Sequence, residues 1–136
     1  EKRNEYIGKA ISMFNKALEL EPSNGQVRYN LGVAQLQTNP SESVKALTEA
    51  LKLMPYKEAS ILPVLGLSQL NSGNYQEAIN TLTKVINAGG ATDAVFYHRG
   101  LANLGAGNRD AAKNDFDQAL IINPRNEDVK SRLATI

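Results

Sequence analysis

The chain has no cysteine among its 136 residues. That excludes disulfides, thiolate metal sites and a cysteine nucleophile. It has a single histidine, His98, and no nucleophile, base and acid can be assembled around it from the sequence, so no enzyme and no cofactor is expected. Charge of one sign is lacking too: 15 Lys and Arg face 14 Asp and Glu, a net charge of +1. A balance this close gives no strong pull toward nucleic acid or an anionic membrane surface. No apolar run approaches the ~18 residues that a membrane span needs, and no signal-peptide pattern opens the chain. The profile fits a soluble protein, with cytoplasm and bacterial periplasm both compatible. The first residue is Glu1 and not Met, which predicts an excised piece of a longer protein.

What is present is repetition. Gly32, Gly66 and Gly100 stand 34 residues apart, and each is followed four residues later by Leu36, Leu70 or Leu104. A fixed period of this length means stacked copies of one supersecondary unit. Other columns keep the register. Ala10, Ser43, Ala78 and Ala112 are small, Phe14, Leu47, Leu82 and Phe116 are large, and Ala17, Ala50, Val85 and Ala119 are small again. Small, large and small at spacings of four and three form one stripe on a helix. Pro22, Pro55 and Pro124 close three of the four stripes, where a helix cannot continue.

Each unit is therefore read as two helices, an A helix with the glycine and a B helix with the stripe. Turn residues join them at Thr38-Asn39-Pro40, Ser72-Gly73-Asn74 and Ala106-Gly107-Asn108. The A helices are predicted near 26–38, 59–72 and 93–106, and the B helices near 41–54, 75–88 and 109–122. This predicts an all-α solenoid in one domain spanning 1–136. Residues 1–22 form a half repeat (helix B only), 23–56, 57–92 and 93–126 are full repeats, and 127–136 is a capping helix. A glycine inside a helix costs roughly 1 kcal/mol relative to alanine, so three at one position imply a close contact. The expected contact is with the small column, Gly32 with Ser43, Gly66 with Ala78 and Gly100 with Ala112.

The columns L-G, A, F, A and P at this period resemble the tetratricopeptide repeat. Phe96, Gly100, Ala112, Phe116, Ala119 and Pro124 carry the resemblance in the third copy. Leu65, Gly66, Tyr75, Ala78, Leu82 and Val85 carry it in the second, and Leu31, Gly32, Leu47, Ala50 and Pro55 in the first. There are departures. Arg99 replaces the leucine before the glycine, Gln35, Gln69 and Asn103 replace an aromatic residue, and Asn87-Ala88-Gly89-Gly90 replaces the L-x-P ending and suggests a looser joint.

The resemblance implies a protein-interaction scaffold whose A helices line a concave groove. Counted from the glycines, its inward positions are Gln26, Tyr29, Val33 and Gln37, then Ser60, Pro63, Leu67 and Asn71, then Ala94, Tyr97, Leu101 and Gly105, with Asn30 and His98 beside them. The middle of this set is apolar and suits a peptide or a partner helix, although the same side chains could instead pack between neighbouring A helices. One subtype of the family clamps a chaperone's terminal carboxylate with Lys, Asn and Arg. No Lys or Arg falls on this stripe, so that partner is not expected. Nucleic acid is not expected either, because the positions that read bases in related repeats are apolar here. Asp110, Asp115, Asp117, Glu127 and Asp128 read as solvated helix faces and not as a metal cage. The N-terminal helix carries Ile7, Ile11, Phe14 and Leu18 on a side that one neighbour covers only in part. The alternative function is therefore self-association by stacking through that helix, in a homo-oligomer or under a missing upstream helix.

Overall fold

Proline and glycine set the helix boundaries in the computed structural model, which describes residues 2–136. Eight α-helices follow one another among these residues: α1 Lys2–Leu20, α2 Gly25–Gln35, α3 Pro40–Leu53, α4 Glu58–Asn71, α5 Tyr75–Asn87, α6 Asp93–Gly105, α7 Arg109–Ile122 and α8 Glu127–Thr135. A 3-10 turn, Pro55–Lys57, leads into α4. Each helix packs on the next, α4 also touches α6, and α8 closes the end on α7. The protein is an α-solenoid of stacked antiparallel helix pairs, in which each unit buries its apolar face on its neighbours.

Local chemistry explains the starts and stops. Asn24, Thr92 and Asn126 accept the N–H groups of Val27, Val95 and Val129 through their side chains, filling orphan donors at the starts of α2, α6 and α8. Pro40 opens α3 at a position where its missing N–H costs nothing. At the end of α5, Gly89 adopts φ +91°. Its N–H bonds Ile86 O at 3.1 Å, and that of Gly90 bonds Val85 O at 2.9 Å. This is a glycine C-cap of the Schellman type. The Gly89-Gly90 pair is therefore a closed cap, not the looser joint its composition suggested. Gly73 and Gly107 end α4 and α6 with the same pair of bonds. The first A helix has no glycine in its turn. It stops at Gln35, before the expected boundary at 38, and its Leu36 carbonyl is taken at 3.2 Å by Asn71 Nδ2 of the next unit.

The core follows the columns. Leu47, Leu62, Leu65, Leu82, Val85 and Val95 form one buried cluster, and Phe96, Ala112, Phe116, Ala119 and Val129 form another. The glycine column does something other than what the sequence suggested. A Cβ built on Gly32 would lie 2.6 Å from Leu47 Cγ, one on Gly66 2.5 Å from Leu82 Cδ2, and one on Gly100 2.5 Å from Phe116 Cε1. The space left by each glycine is filled by the large residue of its own B helix, and of the expected small-column contacts Gly32 with Ser43 is also made. Ser43 keeps a different role, donating its hydroxyl to Gly32 O at 2.6 Å.

Cover is unequal at the two ends. Val129 of α8 is fully buried on the second cluster. No residue of α1 is buried: Ile7, Ile11, Phe14 and Leu18 are half-covered, and Tyr6, Met13 and Leu20 are exposed.

Candidate functional site

The A helices α2, α4 and α6 carry the inward stripe counted from the glycines except for Gln37, which lies in the turn beyond the end of α2. The stripe divides by packing. Tyr29 leans on two core clusters, and Tyr97 and Leu101 pack against the Phe116 cluster, with the Tyr97 and Phe116 ring centroids 5.9 Å apart. Val33, Pro63 and Leu67 do not belong to these clusters, and Val33 is 42% exposed. Gly105, the last inward position, is exposed, but a Cβ there would meet the ring of Tyr75.

Polar groups surround the apolar centre. Gln26 donates to Asn30 Oδ1 at 3.0 Å and accepts from Lys57 Nζ at 3.1 Å. Lys57 brings to the edge of the stripe a cation that the helical count missed, because it lies in the 3-10 turn outside the A-helix register. The exposed Tyr56 was missed for the same reason. Together with Tyr29, Met54, Ala59, Ser60 and Ile61, these residues line a recess of about 350 Å³. Pro63 lies inside α4 and has no N–H to give the carbonyl four residues earlier. The Ala59 carbonyl, at the wall of the recess, is left without its helical donor. Gln37 is exposed, while Asn71 spends its amide on the Leu36 carbonyl.

His98 stands beside Tyr97, ring centroids 5.8 Å apart, and burial pushes its imidazole below the ordinary value. Among the described residues, no group of three His, Asp or Glu side chains gathers to hold a metal ion.

One residue of the acidic set is not solvated. Asp115 is 3% exposed. Arg99 grips it from α6, with Nη2 to Oδ1 at 2.6 Å and Nε to Oδ2 at 3.0 Å, while Nη1 donates to Thr83 Oγ1 at 3.1 Å. Asn103 donates to Asp115 Oδ2 at 2.9 Å. The Arg99 and Asn103 departures therefore form one buried polar network across α5, α6 and α7. The other two members of the Asn103 column, Gln35 and Gln69, are also buried, but each leaves Oε1 without a hydrogen-bond partner.

Residues 64–127 match the tetratricopeptide repeat family. That stretch belongs to the family, and the whole chain carries its fold. Solved structures of MamA are similar along most of the length. One comprises residues 41 to the end of MamA from Desulfovibrio magneticus RS-1, with TM-score 0.83 at 20% identity, covering 93% of this chain and 72% of that one. A crystal structure of MamA gives TM-score 0.81 at 21% identity, covering 93% and 74%. Another gives 0.73 at 26% identity, covering 90% and 67%. No curated protein sequence matches the chain. Family and fold together support a protein-interaction scaffold.

Proposed function

We propose that the chain captures a peptide or partner helix on its A-helix face, with Val33, Pro63 and Leu67 as the apolar centre of the contact. The observation that carries this is the division of the stripe. Tyr29, Tyr97 and Leu101 pack on the core, whereas Val33, Pro63 and Leu67 are not part of it. Apolar side chains in a row across stacked helices suit an amphipathic helix or an extended segment with apolar anchors. The recess beside Tyr29 and Tyr56 would take one such anchor, and the Ala59 carbonyl offers it an acceptor. Gln26, Asn30 and Gln37 form the polar rim, while Tyr97, His98, Leu101 and Asn71 support the surface from behind. The test is a pull-down with the isolated chain against a Val33→Ser/Leu67→Ser variant. Substituting Tyr97 or Leu101 would confuse loss of binding with loss of folding, because both touch the Phe116 cluster.

A second reading has its own observation. Helix α1 has no buried residue, and Tyr6, Met13 and Leu20 are exposed at 67%, 69% and 85%. Stacking of two copies through α1 would cover these exposed side chains. Sedimentation across a concentration series tests it: a mass that rises with concentration and falls back in Met13→Lys supports stacking, and a concentration-independent monomer excludes it.

A further inference from the structure

Seven residues after the large column stands a position that differs in every full repeat: Met54, Gly89 and Asn123. Seven residues before the glycine column stands its neighbour across the helix pair: Gly25, Ala59 and Asp93. In the first unit Met54 lies against Gly25, where a Cβ would be 2.7 Å from its Cγ and 3.0 Å from its Sδ. Met54 is buried there and packs with Ala50 and Ile61. In the third unit Asn123 donates to Asp93 Oδ2 at 3.0 Å. Each of these residues joins the start of an A helix to the end of its B helix.

The second unit has no such closure. Gly89 has no side chain and Ala59 only a methyl group, and a recess of about 280 Å³ lies between the first turn of α4 and the end of α5. Leu62 and Val85, otherwise buried, line it together with the exposed Ala59 and Ala88. Glu58 and Lys84 also line it, but they pair with each other at 2.9 Å. The walls are therefore apolar and the charges beside them cancel. A neutral apolar group matches these walls, whereas an ionised one would lose water and find no free counter-charge.

We infer that this recess binds a methionine side chain of a partner polypeptide, in the place that Met54 holds in the unit before. The repeat itself names the occupant, because Met54 shows that an unbranched thioether chain fits between these two helix ends. Methionine has three rotatable bonds and a polarisable sulfur, so it fills irregular gaps. Displacing loosely held water from apolar walls favours binding. The site goes beyond the A-helix stripe: Val33, Pro63 and Leu67 take no part in lining it.

The test is an NMR titration of the chain with N-acetylmethionine methylamide. N-acetylmethionine sulfoxide methylamide, which adds one polar oxygen to the same side chain, is the control. The expected result is a saturable shift centred on the methyl groups of Leu62 and Val85, with binding at least tenfold weaker for the sulfoxide. Ala88→Phe, at an exposed position on the rim, should keep the folded spectrum, fill the recess and weaken binding at least tenfold. Val33→Ser/Leu67→Ser should leave binding unchanged, so this site and the stripe stand or fall separately. No saturable shift, a shift centred elsewhere, equal binding of the two compounds, or an Ala88→Phe variant that binds within twofold of the parent each overturns the assignment.

Discussion

Leu82 occupies the space that a side chain on Gly66 would need. A Cβ there would lie 2.5 Å from Leu82 Cδ2 and 2.7 Å from Cγ, and Leu82 has no exposed surface. The 34-residue glycine column is thus the imprint of a large side chain on the facing helix. The contact repeats at Gly32 with Leu47 and at Gly100 with Phe116.

Gly66→Ala should therefore destabilise the chain by about 1–3 kcal/mol through overpacking, despite alanine's better helix propensity. The partner is identified by a double-mutant cycle in urea. Leu82→Ala alone costs about 2–5 kcal/mol, and the Gly66→Ala cost should largely vanish in its presence. Additive costs, or relief by Ala78→Gly instead, would return the contact to the small column.

The Arg99 and Asp115 pair is a local substitution for the apolar chemistry of the other units. Asp115→Ala leaves the guanidinium with Thr83 alone and should cost about 3 kcal/mol, in the range for breaking a buried pair. Arg99→Leu/Asp115→Thr installs the residues that the second repeat has, Leu65 and Thr81. It should unfold within about 1 kcal/mol of the parent, because well-packed apolar groups can replace a buried ion pair without loss. Denaturant midpoints of the single and double variants decide this. A double variant as unstable as Asp115→Ala would show that the pair is indispensable.

His98 gives stability a pH dependence of known sign. Burial holds its imidazole below the ordinary 6.5. Below that value the unfolded chain takes up a proton that the folded chain resists. Stability should fall as pH drops from about 6.5, and continue to fall until the folded value is passed. His98→Gln should flatten this part of the curve, read as urea midpoints at pH 7 and pH 5. The same loss in both proteins would mean that another group carries it.

Much of the fold was legible because its punctuation is chemical. Proline at Pro40, Pro55 and Pro124 and glycine at Gly73 and Gly107 end or begin helices for reasons of backbone geometry. The small and large columns identify the buried face. The glycine's partner was not legible, because the stripe fixes one side of the B helix but not which turn of that side meets the glycine. Asp115 was misread for a related reason. Its partner is 16 residues away on the facing helix, and the i, i+3 and i, i+4 pattern that marks solvated faces contains no trace of it. Lys57 and Tyr56 escaped because they sit in the turn and not in the helix register. The stripe itself could be counted from the glycines, but which of its residues pack on the core clusters needed the positions of Phe116 and the other core side chains.

The central claim is that Val33, Pro63 and Leu67 form a binding surface and not a seam of the core. The most direct measurement is partner capture by the isolated chain and by Val33→Ser/Leu67→Ser, with thermal unfolding followed on the same two samples. The variant should melt within a few degrees of the parent, the shift ~1 kcal/mol would give at this size, and lose at least nine-tenths of the captured partner. A variant that binds as well as the parent, or that loses its fold together with its binding, would contradict it.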